Sequence, residues 1–92
     1  MTEAVQLRVA GRVQGVGYRA WMERKAHEAG LRGWVRNRLD GSVEALLIGD
    51  RPAIDAVAAA AQRGPRLALV TDVQRATASD DGSTGFRQLP TI

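Results

Sequence analysis

Val5, Leu7 and Val9 alternate with Gln6, Arg8 and Ala10, the two-residue period of a strand that buries one face and wets the other. Over residues 18–29 the period changes: Tyr18, Met22, Ala26 and Ala29 recur at helical spacing, which gathers them on one side of a helix. Gly30 supplies the expected left-handed cap, with Leu31 behind it in reach of Ala26. Residues 33–38 and 42–48 flank Leu39-Asp40-Gly41. Asp-Gly provides the positive φ of a short hairpin turn, so these two strands are predicted to pair antiparallel. Asp50 can cap a second helix, in which Ile54, Val57, Ala58 and Ala61 fall at i, i+3, i+4 and i+7 before Gly64-Pro65 ends it. Residues 69–76 read as a fourth strand, 79–83 as a polar turn, and 84–88 as a short final edge strand with Phe86 turned to the core.

The order β-α-β-β-α-β with a short fifth strand predicts an α+β, ferredoxin-like split β-α-β sandwich: an antiparallel sheet with two helices on one face. The other face must tolerate water. No internal linker, repeat or low-complexity stretch interrupts the pattern, so residues 1–92 are expected to form a single domain. Such a fold names no function by itself.

Composition narrows the chemistry. The chain has no cysteine, hence no disulfide framework, thiolate nucleophile or cysteine-based zinc site, which suits a reducing cytosol. The longest purely apolar run, residues 56–61, is far short of a membrane span, and the N-terminus lacks a basic segment followed by an apolar one. A soluble, cytoplasmic monomer with no membrane partner is expected. The net charge of +3 is unevenly spread, because seven of the twelve arginines and the lysine lie in residues 1–38 against three glutamates. Single scattered charges of this kind favour small anions over a nucleic acid.

The stretch Gly11-Arg12-Val13-Gln14-Gly15-Val16-Gly17-Tyr18-Arg19 joins the first strand to the first helix. Successive N–H groups entering a helix start concentrate unpaired donors and positive dipole, and glycine lets the backbone approach a ligand closely. Phosphate suits such a loop, and Arg19 in the first helical turn could hold two oxygens of one phosphoryl group. The spacing is neither a P-loop nor a dinucleotide fingerprint. By spacing alone, a tight turn with Arg19 as a solvated charge competes with the anion cradle.

Other chemistry is sparse. His27, beside Glu28 and Lys25, reads as a solvated helix position, and Ser42, Ser79 and Ser83 as turn residues, so no serine triad is expected. One histidine without an acidic cluster argues against a transition-metal site, while carboxylate-held magnesium stays compatible with the composition. No cofactor or metal is expected, and activity should survive a chelator. Asn37 ends the second strand and shares a face with Val35, so a twist or bulge at the strand's end would be needed to aim it elsewhere; by spacing alone the competing reading is that it helps the Asp40-Gly41 hairpin turn. Trp21 and Trp34 read as partly buried or packed at a rim. RNA-binding domains of this architecture carry aromatics on their central strands, but the first and third strands here carry none, leaving an RNA-binding or small-anion-binding module as the weaker alternative.

The stretch from Gly11 to Arg19 resembles the signature of the acylphosphatase family, and Gly33-Trp34-Val35-Arg36-Asn37 is similar to its second motif at the family's separation. Gln62-Arg63-Gly64-Pro65 and the ending around Gly85-Phe86 also resemble it, so the likeness covers nearly the whole chain. Tyr18 stands where phenylalanine is commoner, and Leu89-Pro90-Thr91-Ile92 departs from the usual short charged strand end. The resemblance implies hydrolysis of small-molecule acyl phosphates to carboxylate and inorganic phosphate, the latter also an inhibitor. It implies a phosphate cradle from Gln14, Gly15, Val16, Gly17, Tyr18 and Arg19, with Arg19 catalytic, and an attacking water oriented by Asn37. A similar domain also opens a large hydrogenase-maturation protein; a chain of 92 residues is expected not to be that one.

Overall fold

The computed structural model describes residues 2–92. Its elements run β1 (Glu3–Arg12), α1 (Tyr18–Glu28), β2 (Arg32–Asn37), β3 (Val43–Gly49), α2 (Arg51–Ala61), β4 (Leu69–Thr77) and β5 (Phe86–Gln88). The five strands form one sheet in the order β4-β1-β3-β2-β5. The longest strand, β1, and the most apolar, β3, lie side by side at its centre, paired antiparallel from Glu3–Gly49 to Val9–Val43. The architecture is the predicted ferredoxin-like one, with an extra edge. The connection from β4 crosses to the opposite side of the sheet, so β5 runs parallel to β2, with Phe86 beside Gly33 and Gln88 beside Val35.

Strand alternation sorts the side chains as the sequence pattern requires. Val5, Leu7 and Val9, together with Val43, Ala45, Leu47 and Val35, turn to one side and join Tyr18, Trp21, Met22 and Ala26 of α1 and Ile54, Val57, Ala58 and Ala61 of α2 in the core. Each large apolar side chain removed from water there stabilises the fold by about 1.5–3 kcal/mol. The helix α1 ends where Gly30 was expected to stop it: Gly30 N–H donates to the His27 carbonyl at 3.1 Å and Leu31 N–H to the Ala26 carbonyl at 2.9 Å, the paired bonds of a Schellman cap. At the start of α2, Asp50 takes the N-cap position in extended conformation, and its carbonyl accepts Ile54 N–H at 3.0 Å.

The opposite face is less wet than the pattern implied. Ala4, Leu46 and Ile48 are buried there under Trp34 and Ala78. The polar connection predicted at residues 79–83 closes over them through two aspartate turns, with Asp80 accepting from Gly82 N–H and Asp81 from Ser83 N–H. Arg32 reaches Asp80 and the Ser83 carbonyl, and Trp34 Nε1 donates to Asp81 at 3.1 Å.

Gly11 belongs to β1 itself. The register of β1 against β4 shifts between Ala10 and Gly11, and a side-chain carbon at Gly11 would stand 2.2 Å from the Leu69 carbonyl oxygen. This glycine therefore permits a strand bulge, which re-aims the chain as it leaves the sheet for the loop.

Tyr18 ties the two helices together at the same end of the molecule. Its ring is buried and its hydroxyl donates to the Ala61 carbonyl at 2.7 Å, one of the carbonyls that the end of α2 leaves without a helical partner. Burial pushes the phenol well above its ordinary range, which keeps it a donor. Tyr18→Phe should lower unfolding free energy by about 1 kcal/mol, because a buried acceptor loses its donor; urea denaturation monitored by circular dichroism measures it.

Candidate active site

The chain between β1 and α1 turns through Gly15 and Gly17, whose φ angles of 73° and 82° are left-handed. Side chains rarely adopt such angles, and a carbon built on either glycine meets nothing within 4 Å, so the space over the loop is open. Gly17 is also the N-cap of α1, without a side-chain cap, and no acidic residue stands in the first turn. Among the described residues, no backbone N–H from Gln14 through Arg19 donates to another backbone carbonyl. Free donors in succession and the positive end of the helix dipole are an arrangement that can receive an anion.

A cleft of about 120 Å³ opens on these groups, lined by Val13, Gly15, Gly17, Tyr18, Arg19, Ala20, Asn37 and Gln88. Arg19 is the only cation in that lining, and it has no ion-pair or hydrogen-bond partner among the described residues. Asn37 enters from the end of β2. It lies on the helix side with Gly33 and Val35, and the β2–β3 register runs unbroken from Arg32–Ile48 to Asn37–Val43. No twist or bulge is needed to aim it, because the cleft lies on the face that alternation already assigns to Asn37. The side chain is buried, and its Oδ1 has no hydrogen-bond partner among the described residues. The hairpin turn does not use it: Asp40 Oδ1 accepts there, from Ser42 N–H at 2.9 Å and Ser42 Oγ at 2.6 Å. A buried acceptor without a donor is a deficit that an ordered water would remove.

Gly15, Gly17, Tyr18, Arg19 and Asn37 are thus brought to one cleft, whereas Gln14 and Val16 are not in its lining. Val16 packs against the core, and the Gln14 side chain points away, donating through Nε2 to the carbonyls of Arg38 and Ser42 at 2.7 and 2.9 Å. Only their backbone N–H groups remain for a phosphate. Val13, Ala20 and Gln88 line the cleft without having been singled out. For Gln88 a signal existed: it stands two residues after Phe86, so a strand that turns Phe86 inward turns Gln88 to the same side. Gln88 Nε2 donates to Glu23 at 2.9 Å.

The remaining candidates lie elsewhere. His27 is exposed and its Nε2 meets the Phe86 carbonyl at 3.1 Å, a link between α1 and β5. Ser42 and Ser83 bond the aspartates of their own turns. Trp21 is more deeply buried than a rim residue, packed 5.3 Å from the Tyr18 ring. Trp34 is the aromatic on the open sheet face, with the Arg36 guanidinium 4.6 Å above it. Among the described residues no group of three or more histidines or carboxylates is placed to hold a metal ion.

The sequence profile of the acylphosphatase family matches residues 5–88. This chain belongs to the acylphosphatase family. It is 49% identical over 83 residues to the acylphosphatase of Acidiphilium cryptum, covering 90% of this chain and 91% of that one. The crystal structure of the acylphosphatase from Bacillus subtilis superposes with a TM-score of 0.91 at 36% identity, covering 97% and 99% of the two chains. Full-length HypF, in its phosphate- and nucleotide-bound form, shares the fold with a TM-score of 0.92, 24% identity and 12% of its length; that likeness concerns the fold alone. Membership makes the chain a hydrolase, cleaving acyl phosphates to carboxylate and inorganic phosphate, and does not favour a non-catalytic module.

In this acylphosphatase fold the sheet separates Arg19 from Arg8, Arg36 and Arg38. Arg36 and Arg38 project from the opposite face of β2, where Glu44 receives Arg36 Nε at 2.9 Å, Arg38 Nη1 at 3.1 Å and Arg8 Nη2 at 3.9 Å. Gln6 donates to the same carboxylate. Burial acts to raise the Glu44 pKa, but the hydrogen bond from Arg36 and the charges of Arg36, Arg38 and Arg8 outweigh it, so the net shift is downward. A carboxylate with a lowered folded-state pKa stabilises the protein above its ordinary range, and that stability is lost as pH falls through the lowered value. Denaturant midpoints should therefore drop as pH falls below the ordinary carboxylate range. Glu44→Gln should lower the midpoint at neutral pH and make this acid decline shallower, which a urea titration at several pH values would read out.

Proposed function

We propose that this chain, acting as a single domain over residues 1–92 and as a cytoplasmic monomer, hydrolyses small-molecule acyl phosphates without a metal ion. In this reading the phosphoryl oxygens sit on the free N–H groups of residues 14–19, with the Arg19 guanidinium across two of them. The buried Asn37 amide, in the cleft lining with its Oδ1 left unpartnered, carries the proposal, because a water held by that amide would stand in the same cleft as the phosphoryl group. That water forms the new P–O bond as the acyl C–O–P bridge opens at phosphorus. The carboxylate leaves with the bonding pair, and one water proton passes to a phosphoryl oxygen. An amide cannot take that proton near neutral pH, and the carboxylate is a good enough leaving group to need no acid. Catalysis by positioning suits the loose transition state of phosphoryl transfer.

Acetyl or benzoyl phosphate should be cleaved with EDTA present, while phosphate monoesters stay nearly untouched. No turnover of either acyl phosphate would overturn the enzyme reading for this site.

Arg19→Lys replaces a planar fork by a point charge and should lower kcat/KM at least about tenfold, because one hydrogen bond to a charged oxygen contributes about 1.5–3 kcal/mol. Near-wild-type kinetics would place the phosphoryl group elsewhere.

Asn37→Ala should reduce kcat on the order of 100-fold, the scale of a lost near-attack geometry, and leave the inhibition constant of inorganic phosphate within about threefold. Phosphate affinity falling in parallel with kcat would instead make Asn37 a phosphate ligand.

A further inference from the structure

The cleft is assembled from two separate parts of the chain. Residues 13–20 supply the donors and Arg19, whereas Asn37 comes from the end of β2, where the β2–β3 hairpin begins. In-line attack requires these parts to keep a fixed spacing, yet the sheet register does not extend into the loop. Among the described residues, the hydrogen bonds that join residues 13–20 to residues 37–43 come from one side chain. Gln14 Nε2 gives one proton to the Arg38 carbonyl at 2.7 Å and the other to the Ser42 carbonyl at 2.9 Å. These carbonyls face each other across the neck of the hairpin, which Arg38 N–H closes by donating to Ser42 at 2.8 Å.

We infer that Gln14 is a positioning residue, whose side-chain amide sets the phosphate loop against the strand that carries Asn37. The inference rests on the water-positioning role proposed for Asn37. Gln14 and Arg38 adjoin, in sequence, the cleft residues Gly15 and Asn37, so the amide bridge is one residue from the site on each side. Ser42 is buried and Arg38 half-buried, so solvent replaces the lost donor poorly. Only an amide supplies both protons from one nitrogen at this reach while staying uncharged. The hairpin does not need Gln14 to form, since it is closed by Arg38 N–H, by Gly41 N–H donating to Arg38 at 3.0 Å and by the Asp40–Ser42 bonds. Nor does the loop need it to bend, because Gly15 and Gly17 set that path. Among the hydrogen bonds of the described residues, those of Gln14 are the ones that fix the relative placement of the two.

The test is a double-mutant cycle between Gln14→Met, which keeps the side-chain length and removes both donors, and Asn37→Ala. Gln14→Met should lower kcat for acetyl phosphate about 10- to 100-fold, the effect of a misplacement near 1 Å, and keep the phosphate inhibition constant within about threefold. In the Asn37→Ala background the same change should lower kcat by no more than about twofold, because no oriented water is left to misplace. Gln14→Asn, which retains the donors one methylene short, should fall between wild type and Gln14→Met, and carries the cycle if the methionine variant does not fold. An unchanged kcat in Gln14→Met, a full repeat of its loss in the Asn37→Ala background, or phosphate affinity falling in step with kcat would each overturn the inference. If Asn37→Ala alone leaves kcat intact, the water-positioning role fails first and takes this inference with it. If Asn37→Ala is slow and the two losses add, only the Gln14 inference fails.

Discussion

Among the described residues the backbone N–H groups between Gln14 and Arg19 donate to no backbone carbonyl, and much of the molecule holds them in that condition. A helix start normally recruits a serine, threonine or aspartate side chain to cap its free donors. Here the N-cap is Gly17, which offers nothing, so the donors stay available. Exposure of Gly15 and Gly17 keeps the free state tolerable, since water satisfies the donors until an anion displaces it. The bulge at Gly11 aims the chain off the sheet, and Tyr18 fixes the start of α1 to the end of α2. A capping side chain would have stabilised α1 and blocked the anion.

The sheet also acts as an electrostatic partition. The surplus positive charge of residues 1–38 invited the view that several arginines would draw anions to one place, but β-strand alternation sends Arg8, Arg36 and Arg38 to the face away from the cleft. There they converge on Glu44, a largely buried carboxylate, and their field is partly neutralised at close range. Arg19 is left without an acidic partner among the described residues. A guanidinium already bound to a carboxylate would have to break that pair to receive a phosphoryl group, and the net gain would shrink accordingly. Segregating Arg8, Arg36 and Arg38 with their carboxylate from Arg19 keeps the full attraction of Arg19 for the ligand.

Most of the fold was legible because its signals are local. Period-two alternation in residues 5–10, helical spacing in 18–29 and 51–61, Asp-Gly at the hairpin and Gly30 after α1 each depend on a few neighbouring residues, and each element lies within a residue or two of its expected bounds. The loop and Arg19 were legible for the same reason. Asn37 was legible only in part, since alternation gives the face of a strand but not what stands over it; the cleft is there because the β1–α1 loop ends over the last residue of β2. The side-chain bridge of Gln14 was not legible, as nothing in its neighbourhood reveals that its amide reaches carbonyls 24 and 28 residues away. The parallel pairing of β5 and the burial of Leu46 and Ile48 beneath Trp34 likewise follow from where the last connection crosses the sheet, a nonlocal property.

The chemistry proposed for the cleft explains why so small a domain suffices. An acyl phosphate already contains a good leaving group and, on its phosphoryl oxygens, an acceptor for the water's proton, so the protein has no acid, base or nucleophile to provide. What it must provide is a fixed relation between a phosphorus atom and a water oxygen. In the proposed chemistry two amides would answer that need from different levels: Asn37 by touching the water, Gln14 by holding the loop to the strand that bears Asn37. Neither titrates near neutral pH, so between them they introduce no ionisation that would limit the rate there. The cost falls on rigidity instead. A loop that must hold its spacing without sheet register depends on its few tethers, and each tether becomes as consequential for rate as a group that touches the substrate.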